Sequence, residues 1–426
     1  MDNRKLRVGI THGDINGIGY EVLLKALEHP SMAEICVPIV YGSAKIAAYY
    51  RKNIKEMPEV KLTIIDTPEA AEPETCRNYI INVVPEDTPV NPGEATKAAG
   101  EAAVAALERA TADLREGLID VLVTCPINKN TVHGDGFEFP GHTEYLQSRL
   151  GAGGDKAMMI MAAGDLRVAL VTIHAPLSAV AGSITREHVT EAIEAFSASL
   201  VSDFGVHAPR IAVLSLNPHA GDGGVIGSEE SDIIIPAIAE ASKKRVLVFG
   251  PYPADGFFAA GSYRKFDGVL AMYHDQGLTP FKILAGDGGI NFTAGLPYVR
   301  TSPDHGTAYD IAGQGVADPQ SLREAIYAAL DIWRNRRREA EATANPLKKQ
   351  TFERGSDRLP KEKPAKEKPA KKPKESKESK EPKEVKEVKE PREPKESKEV
   401  KEPKESKEPK VSGESKETKD VKEPQE

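Results

Sequence analysis

Residues 271–315, AMYHDQGLTPFKILAGDGGINFTAGLPYVRTSPDHGTAYDIAGQG, alternate apolar runs with glycine-rich turns. Two histidines, a lysine, an arginine and several acidic residues lie between those turns. Glycine lets a backbone turn tightly and approach a ligand closely, which an ordinary connecting loop does not require. We therefore expect this stretch to form the floor of an active site on an α/β scaffold.

Outside this stretch, short apolar runs alternate with longer amphipathic segments over about the first 345 residues. The alternation is typical of βα units and predicts an α/β fold with a largely parallel sheet, in one large or two medium domains. We predict strands at 6–10, 37–41, 60–65, 118–124 and 246–249, and helices at 94–115, 185–201, 228–243 and 321–337.

The composition limits the classes of function. Residues 346–426 are dominated by Lys, Glu, Pro and Ser, and we expect a disordered tail there because too little apolar surface is available to offset ordering. The basic residues of the folded part are scattered and the Lys-rich tail carries matching Glu, which argues against a nucleic-acid partner. No apolar run approaches the roughly 20 residues of a membrane span.

The cysteines and the first residues of the chain indicate the cellular compartment. Cys36, Cys76 and Cys125 are odd in number and lack metal-ligand spacing, which fits a reducing environment. The opening residues enter a strand-like run without the apolar core of a signal peptide. We expect a cytoplasmic protein with no membrane partner.

Three segments repeat one design, an apolar strand that ends shortly before a histidine. They are RVALVTIHAP, RIAVLSLNPHAG and GVLAMYHDQG, and they carry His174, His219 and His274. Because ligands of an open α/β sheet bind at the carboxyl ends of strands, three imidazoles there can converge on one divalent metal. This prediction requires the three strands to lie in one sheet.

Several residues suit an anion such as phosphate. His142 and Thr143 follow a Pro-Gly break at the predicted start of a helix, where exposed amides favour phosphate, although Thr143 could instead only cap that helix. Lys282, Asn291 and Arg300 follow at intervals of nine residues, and Lys and Arg neutralise phosphate or carboxylate.

Two aspartates are candidates for acid–base work. Asp255 follows the strand predicted at 246–249, and Asp275 follows His274. Either could act as acid, base or ligand of a substrate amine, and helix capping is an equally good interpretation of each. Lys282 is a third candidate for the base.

The chain resembles the 4-hydroxythreonine-4-phosphate dehydrogenases in FPGHTE, NPHAGDGG with the GSEE that follows, AMYHDQGL, and GLPYVRTSPDHGTAYDIAG. The resemblance implies NAD(P)- and metal-dependent oxidation and decarboxylation of 4-phosphooxy-L-threonine to 3-amino-1-hydroxyacetone 1-phosphate, in pyridoxal 5'-phosphate biosynthesis. Two alternatives remain open. One is a related dehydrogenase acting on 4-phosphothreonate or a similar phosphorylated hydroxy acid, and the other is a non-catalytic protein that binds metal and phosphate.

The resemblance also implies the architecture and the partners. The family is similar in fold to the isocitrate and isopropylmalate dehydrogenases, with two α/β/α lobes and an active site in the cleft, here 1–130 plus 285–345 and 131–284. DHGTAYDIAGQG resembles a nucleotide loop and implies NAD or NADP at His305, Gly306 and Thr307. The histidine trio would hold Zn, Co, Mn or Mg, shared between the subunits of a homodimer. His142, Thr143, Lys282, Asn291 and Arg300 would bind the phosphorylated amino acid substrate.

One motif departs from the family pattern. The family commonly reads GDPAGIGPE where residues 13–21 read GDINGIGYE. Ile15 and Tyr20 replace prolines, and Asn16 replaces a small residue. Because proline restricts the backbone, we expect a looser loop here.

Overall fold

The computed structural model describes residues 4–133, 137–139, 141–153 and 155–347, so the predicted tail lies outside the described residues from 348 onward. The strands are β1 (Leu6–Thr11), β2 (Cys36–Gly42), β3 (Leu62–Ile64), β4 (Asn78–Asn82), β5 (Val121–Thr124), β6 (Met158–Ala163), β7 (Leu166–Leu170), β8 (Arg210–Leu214), β9 (Leu247–Tyr252), β10 (Gly268–Ala271), β11 (Ile290–Ala294) and β12 (Arg300–Pro303). The α-helices are α1 (Gly19–Ala26), α2 (Ser31–Ile35), α3 (Ala44–Asn53), α4 (Lys97–Arg115), α5 (Lys129–Val132), α6 (His142–Leu150), α7 (Leu177–Ser183), α8 (Arg186–Ser202), α9 (Ile235–Lys243), α10 (Ala254–Ala259), α11 (His274–Ala285) and α12 (Gln320–Thr343).

All 12 strands belong to one sheet, in the order β3-β4-β2-β1-β5-β12-β11-β6-β7-β10-β8-β9. The six strands from β3 to β12 are parallel to one another, and so are the four from β7 to β9. Antiparallel pairs of β12 with β11, β11 with β6, and β6 with β7 join the two groups. The prediction of a largely parallel α/β sheet is confirmed.

Helix α4 shows how small residues position an element near the site. It begins three residues later than predicted because Thr96 caps it, its hydroxyl accepting a hydrogen bond from the Ala99 amide. A Cβ on Gly100 would lie 2.0 Å from the Thr131 carbonyl oxygen, so glycine is what allows α4 to lie against α5. The Ala-rich helix is therefore part of the scaffold.

The loop between β1 and α1 is not loose, and the expectation drawn from its missing prolines is wrong. Ile15, Asn16 and Tyr20 are all buried. The Asn16 side chain donates to the Glu94 carbonyl (2.9 Å) and accepts from the Asn91 amide (2.8 Å). Side-chain hydrogen bonds and burial hold this loop in place of the restricted backbone of proline.

Aromatic stacking also stabilises the same loop. The Tyr20 ring lies between His12 and Tyr50, at centroid distances of 5.3 and 5.6 Å. The Tyr50 hydroxyl donates to the Ile15 carbonyl oxygen at 2.6 Å. The loop backbone is therefore tied to α3, which carries Tyr50.

Within the part of the chain that the structure describes, no helix combines the length and the apolar character needed to cross a bilayer.

Tyr50→Phe should lower the free energy of unfolding by about 1–2 kcal/mol, because it leaves the buried Ile15 carbonyl without its donor. Urea denaturation with a constant m-value measures this change. Tyr49→Phe is the matched control, since Tyr49 neighbours Tyr50 on α3 but is 37% exposed. Equal stabilities of the two variants would contradict the role given to the Tyr50 hydroxyl.

His12 should make stability depend on pH. Burial lowers the pKa of His12 to about 4, and backbone contacts with Gly13 and Ala102 offset this only in part. The unfolded chain takes up the proton first, so stability is complete above pH 6.5 and falls towards pH 4, by up to about 3 kcal/mol. His12→Phe should flatten the pH dependence of urea denaturation between pH 7 and 4.5, and an unchanged slope would refute this assignment.

Candidate active site

A cavity of about 370 Å³ opens between the two parallel groups of strands. Its walls come from the carboxyl ends of β5 and β12, from β6 and β11, and from the first turns of α5, α6 and α11. Nine predicted site residues line it: His142, Thr143, His174, His274, Lys282, Asn291, Arg300, His305 and Gly306. The structure thus brings together residues spread over more than 160 positions of sequence.

Arg300, the first residue of β12, is a buried cation in the wall of this cavity. Its guanidinium donates to the hydroxyls of Thr124 (3.0 and 2.6 Å) and Thr293 (3.1 Å), and within the described residues it forms no ion pair. Burial lowers the pKa of Arg300 to about 10, so it stays charged at neutral pH. A buried charge without a counter-ion is costly, and a bound anion would supply the missing partner.

His142 and Thr143 begin α6 and face the same cavity. Gly141 is the N-cap and no side chain caps this helix, so the Thr143 hydroxyl is not used for capping. Burial, with Arg300 and Lys129 nearby, lowers the pKa of His142 well below its usual range. Its Nε2 is buried and has no hydrogen-bond partner among the described residues. A neutral imidazole beside two cations and free helix amides is suited to a phosphate.

Two of the three predicted metal ligands meet. β7, β10 and β8 are adjacent parallel strands of one sheet, as the prediction required. The His174 and His274 rings lie 6.0 Å apart between centroids. A Cβ on Gly277 would lie 2.9 Å from the Leu170 side chain, so this glycine allows α11 to pack closely on β7 and brings the rings together.

Each of these rings has a carboxylate near Nδ1. Asp275 Oδ1 lies 2.7 Å from Nδ1 of His274, and Glu144 Oε1 lies 3.7 Å from Nδ1 of His174. Carboxylates in this position orient metal-binding imidazoles and leave Nε2 for the metal. The donor set fits a divalent ion on that observation.

His219 is the exception, because it lies on an exposed turn and does not line the cavity. It follows β8, the next strand beyond β10, and it has a left-handed backbone (φ 54°). In the part of the chain described here, no three His, Cys, Asp or Glu side chains form a group able to hold a metal. One chain therefore does not bring the predicted trio together.

Of the three acid–base candidates, only one lines the cavity. Asp255 is exposed on α10 and Asp275 is exposed on α11, and neither lines the cavity. Lys282 does line it, and its Nζ lies 3.2 Å from Asp304 Oδ1 and donates to the Asp304 carbonyl at 3.1 Å. Burial raises the pKa of Asp304, and Lys282 partly offsets the shift.

Four polar residues of the wall were not assigned to the site from sequence: Thr124, Glu144, Ser302 and Asp304. Lys129 lines the cavity too, and it follows β5 at the carboxyl edge of the sheet, where the strand pattern predicts it. Glu144 follows directly after the His-Thr pair that the sequence did indicate, so its place in the first turn of α6 was the available signal. Nothing in the sequence shows that Thr124 faces Arg300, since the two are 176 positions apart.

A second cavity, of about 280 Å³, adjoins the first and shares Lys282, Asp304 and His305 with it. Other walls come from Ile18 and from residues 308–318. Thr307 does not line either cavity, but its carbonyl accepts a hydrogen bond from the Ile18 amide at 3.0 Å. The predicted nucleotide loop thus borders a cleft that opens beside the anion site.

Comparison with known proteins identifies the family. Residues 34–329 match the model described as "Pyridoxal phosphate biosynthetic protein PdxA". The chain belongs to the PdxA family. It is 54% identical over 357 residues to 4-hydroxythreonine-4-phosphate dehydrogenase of Bacteroides thetaiotaomicron, covering 84% of this chain and 97% of that protein. It is 42% identical over 332 residues to the enzyme of the same name from Desulfosudis oleivorans, covering 78% and 97%.

Solved structures agree with this membership in the PdxA family. The crystal structure of 4-hydroxythreonine-4-phosphate dehydrogenase from Klebsiella pneumoniae has a TM-score of 0.67 at 35% identity, and the match covers 77% of this chain and all of that one. A terephthalate 1,2-cis-dihydrodiol dehydrogenase from Burkholderia xenovorans matches at a TM-score of 0.51 and 26% identity, covering 76% and 98%.

In this PdxA-family protein, Arg300→Met should weaken binding of inorganic phosphate about tenfold or more without lowering stability, because the buried charge forms no ion pair within the described residues. Isothermal titration with phosphate and urea denaturation measure the two effects. Arg210→Met is the control, since Arg210 is an exposed partner of Asp267 on β8 and should change neither. A large loss of stability with phosphate affinity intact would instead identify Arg300 as a structural cation.

Proposed function

We propose that this PdxA-family protein is an NAD(P)- and divalent-metal-dependent 4-hydroxythreonine-4-phosphate dehydrogenase. It would oxidise and decarboxylate its substrate to 3-amino-1-hydroxyacetone 1-phosphate, and we place it in the cytoplasm. The observation that carries the proposal is the single cavity in which an unpaired buried arginine lies near a pair of histidines. The names of its relatives support the substrate.

The phosphate would bind between the start of α6 and Arg300. His142 and Thr143 offer helix amides, an imidazole and a hydroxyl, and Arg300 offers the balancing charge. Asn291 lies on β11 with its side-chain oxygen buried and without a partner among the described residues. Lys282 completes the cationic lining.

The metal, Zn or alternatively Co, Mn or Mg, would be held by His174 and His274 together with His219 of the partner subunit. The exposure of His219 on its turn supports this homodimeric arrangement, because an exposed ligand is free to reach a neighbouring chain. When bound, the metal would supply Lewis-acid polarisation of the C3 hydroxyl and the dinucleotide would supply the hydride acceptor.

The dinucleotide would occupy the second cavity, against His305, with Gly306 next to it in the wall of the first cavity and Thr307 following in the same loop. The shared wall supports this placement, since Lys282, Asp304 and His305 border both cavities. A substrate in the first cavity and a nicotinamide in the second would therefore be neighbours.

The pair of Lys282 and Asp304 would accept the proton, since both residues line the cavity and contact each other. As hydride leaves C3, this pair takes the hydroxyl proton, which yields a 3-oxo acid. That β-keto acid loses carbon dioxide, and the same pair returns the proton to C2 of the resulting enolate. Asp255 and Asp275 would serve only if they entered the site from a neighbouring chain, because neither lines this cavity.

We further propose that lobe 1 comprises residues 1–130 and 285–345, and lobe 2 residues 131–284. The strand order supports this division, because the five strands of 131–284 are contiguous in the sheet, from β6 to β9. The boundary between β11 and β6 runs beside the cavity, and both of these strands line it.

The related dehydrogenase that uses 4-phosphothreonate is the second candidate, and the terephthalate-dihydrodiol relative shows that the fold also occurs with another named substrate. Glu144 favours the aminated substrate. Its Oε2 is buried and has no hydrogen-bond partner among the described residues, whereas Asp304, the other carboxylate of this cavity, is paired with Lys282. A substrate ammonium would supply that partner.

The test is NADH or NADPH formation from 4-phosphooxy-L-threonine by the full chain, before and after chelation and after adding back Zn, Co, Mn or Mg. We expect turnover that chelation abolishes and a metal restores, and a much lower rate with 4-phosphothreonate. His188→Ala, on exposed α8, is the control for His174→Ala and should retain turnover. Turnover only with 4-phosphothreonate would select the second candidate, and metal binding without turnover of either would select a binding protein.

A further inference from the structure

The loop that replaces the family's prolines is joined to the predicted nucleotide loop by side-chain hydrogen bonds. The Tyr309 hydroxyl donates to Asp14 Oδ2 at 2.7 Å, and Asp14 itself is buried in the β1–α1 loop. The other Asp14 oxygen, Oδ1, accepts from the Asn16 amide at 2.8 Å. Both carboxylate oxygens are therefore used in fixing the two loops.

The same hydroxyl is linked to the first cavity through Asn128. Tyr309 accepts a hydrogen bond from Asn128 Nδ2 at 2.9 Å. Asn128 is the N-cap of α5, its side-chain oxygen accepting from the Asn130 amide at 2.9 Å. The next residue, Lys129, lines the first cavity. Tyr309 thus connects the loop beside the second cavity to the helix start that presents a cation in the first.

Helix α1 holds the far end of the nucleotide loop by two side chains one turn apart. Glu21 accepts hydrogen bonds from the amides of Gly313 (2.6 Å) and Gly315 (2.8 Å). Lys25 donates to the carbonyls of Gly315 (2.6 Å) and Ala317 (2.7 Å). These hydrogen bonds fix the backbone just before Ala317 and Asp318, and both of these residues line the second cavity.

We propose that Tyr309 is a positioning residue that couples the dinucleotide cavity to the phosphate site, whereas Glu21 positions the dinucleotide loop alone. The inference rests on the proposed function, because it takes the second cavity to be the dinucleotide site. The pattern of hydrogen bonds distinguishes the two residues. Tyr309 is hydrogen-bonded to Asn128, the N-cap of α5, whereas the described hydrogen bonds of Glu21 go only to the amides of Gly313 and Gly315 in the nucleotide loop. Preorganised contacts of this kind reduce the ordering cost of binding.

Three variants test the inference by isothermal titration with NAD+, NADP+ and inorganic phosphate, each alone and then together. Tyr309→Phe should weaken the dinucleotide about five- to tenfold, the value of the lost hydrogen bond to Asp14, and should also weaken phosphate, because the hydrogen bond from Asn128 is lost as well. Glu21→Gln should weaken only the dinucleotide. Tyr327→Phe, the same chemical change on α12 away from both cavities, should alter neither.

Coupling is a reciprocal quantity, so it provides the decisive readout. In the wild-type protein, phosphate should change the dinucleotide dissociation constant, and in Tyr309→Phe this change should shrink towards none. If Tyr309→Phe affects the dinucleotide only, as Glu21→Gln does, or affects neither ligand, the inference is overturned. A wild-type protein that binds phosphate but no dinucleotide would overturn the proposed function as well, whereas normal dinucleotide binding without the Tyr309→Phe effect on phosphate overturns the inference alone.

Discussion

The guanidinium of Arg300 is the constraint on which the rest of the site depends. It is buried at the start of β12, in the middle of the sheet, and its hydrogen bonds go to threonine hydroxyls rather than to a carboxylate. A protein selected only for stability would pair or remove such a charge. Its neighbours are arranged accordingly, with a neutral His142, a free helix N-terminus and Lys129 on the same cavity.

The sheet explains why these groups meet. Its two parallel groups of strands are joined by antiparallel pairings through β11 and β6, and the cavity lies along that junction. Asn291 and Arg300, the proposed anion-binding residues of the sheet, lie on β11 and β12, whereas His174 and His274 follow β7 and β10. A wholly parallel sheet would have presented its ligands at one edge, as the expectation for open α/β folds assumes. Here the junction between the groups is where the two kinds of chemistry become neighbours.

The β1–α1 loop shows that a backbone can be held rigid by side-chain contacts as well as by proline. Where the family commonly has prolines, this chain has Ile15 and Tyr20, and burial, stacking and hydrogen bonds restrict the loop instead. Side-chain contacts differ from proline in one respect, because proline restricts only its own segment of backbone. A side chain that fixes one loop can also fix a second, as Asp14 does with Tyr309, so rigidity and communication between sites come from the same residues.

The sequence by itself determined the fold class, the order of most elements, and nine of the residues that line the cavity, because hydrophobic periodicity and clustered polar motifs are local properties. It placed the start of α4 three residues early, since capping by Thr96 is a local detail that periodicity does not reveal. It did not single out Thr124, Glu144 or Asp304, whose roles depend on neighbours far away in the chain. It also left open whether three histidines in equivalent positions would meet. Only the tertiary structure decided that His174 and His274 do and that His219 does not within one chain, because strand order, helix packing at Gly277 and the exposed turn after β8 are set by long-range contacts.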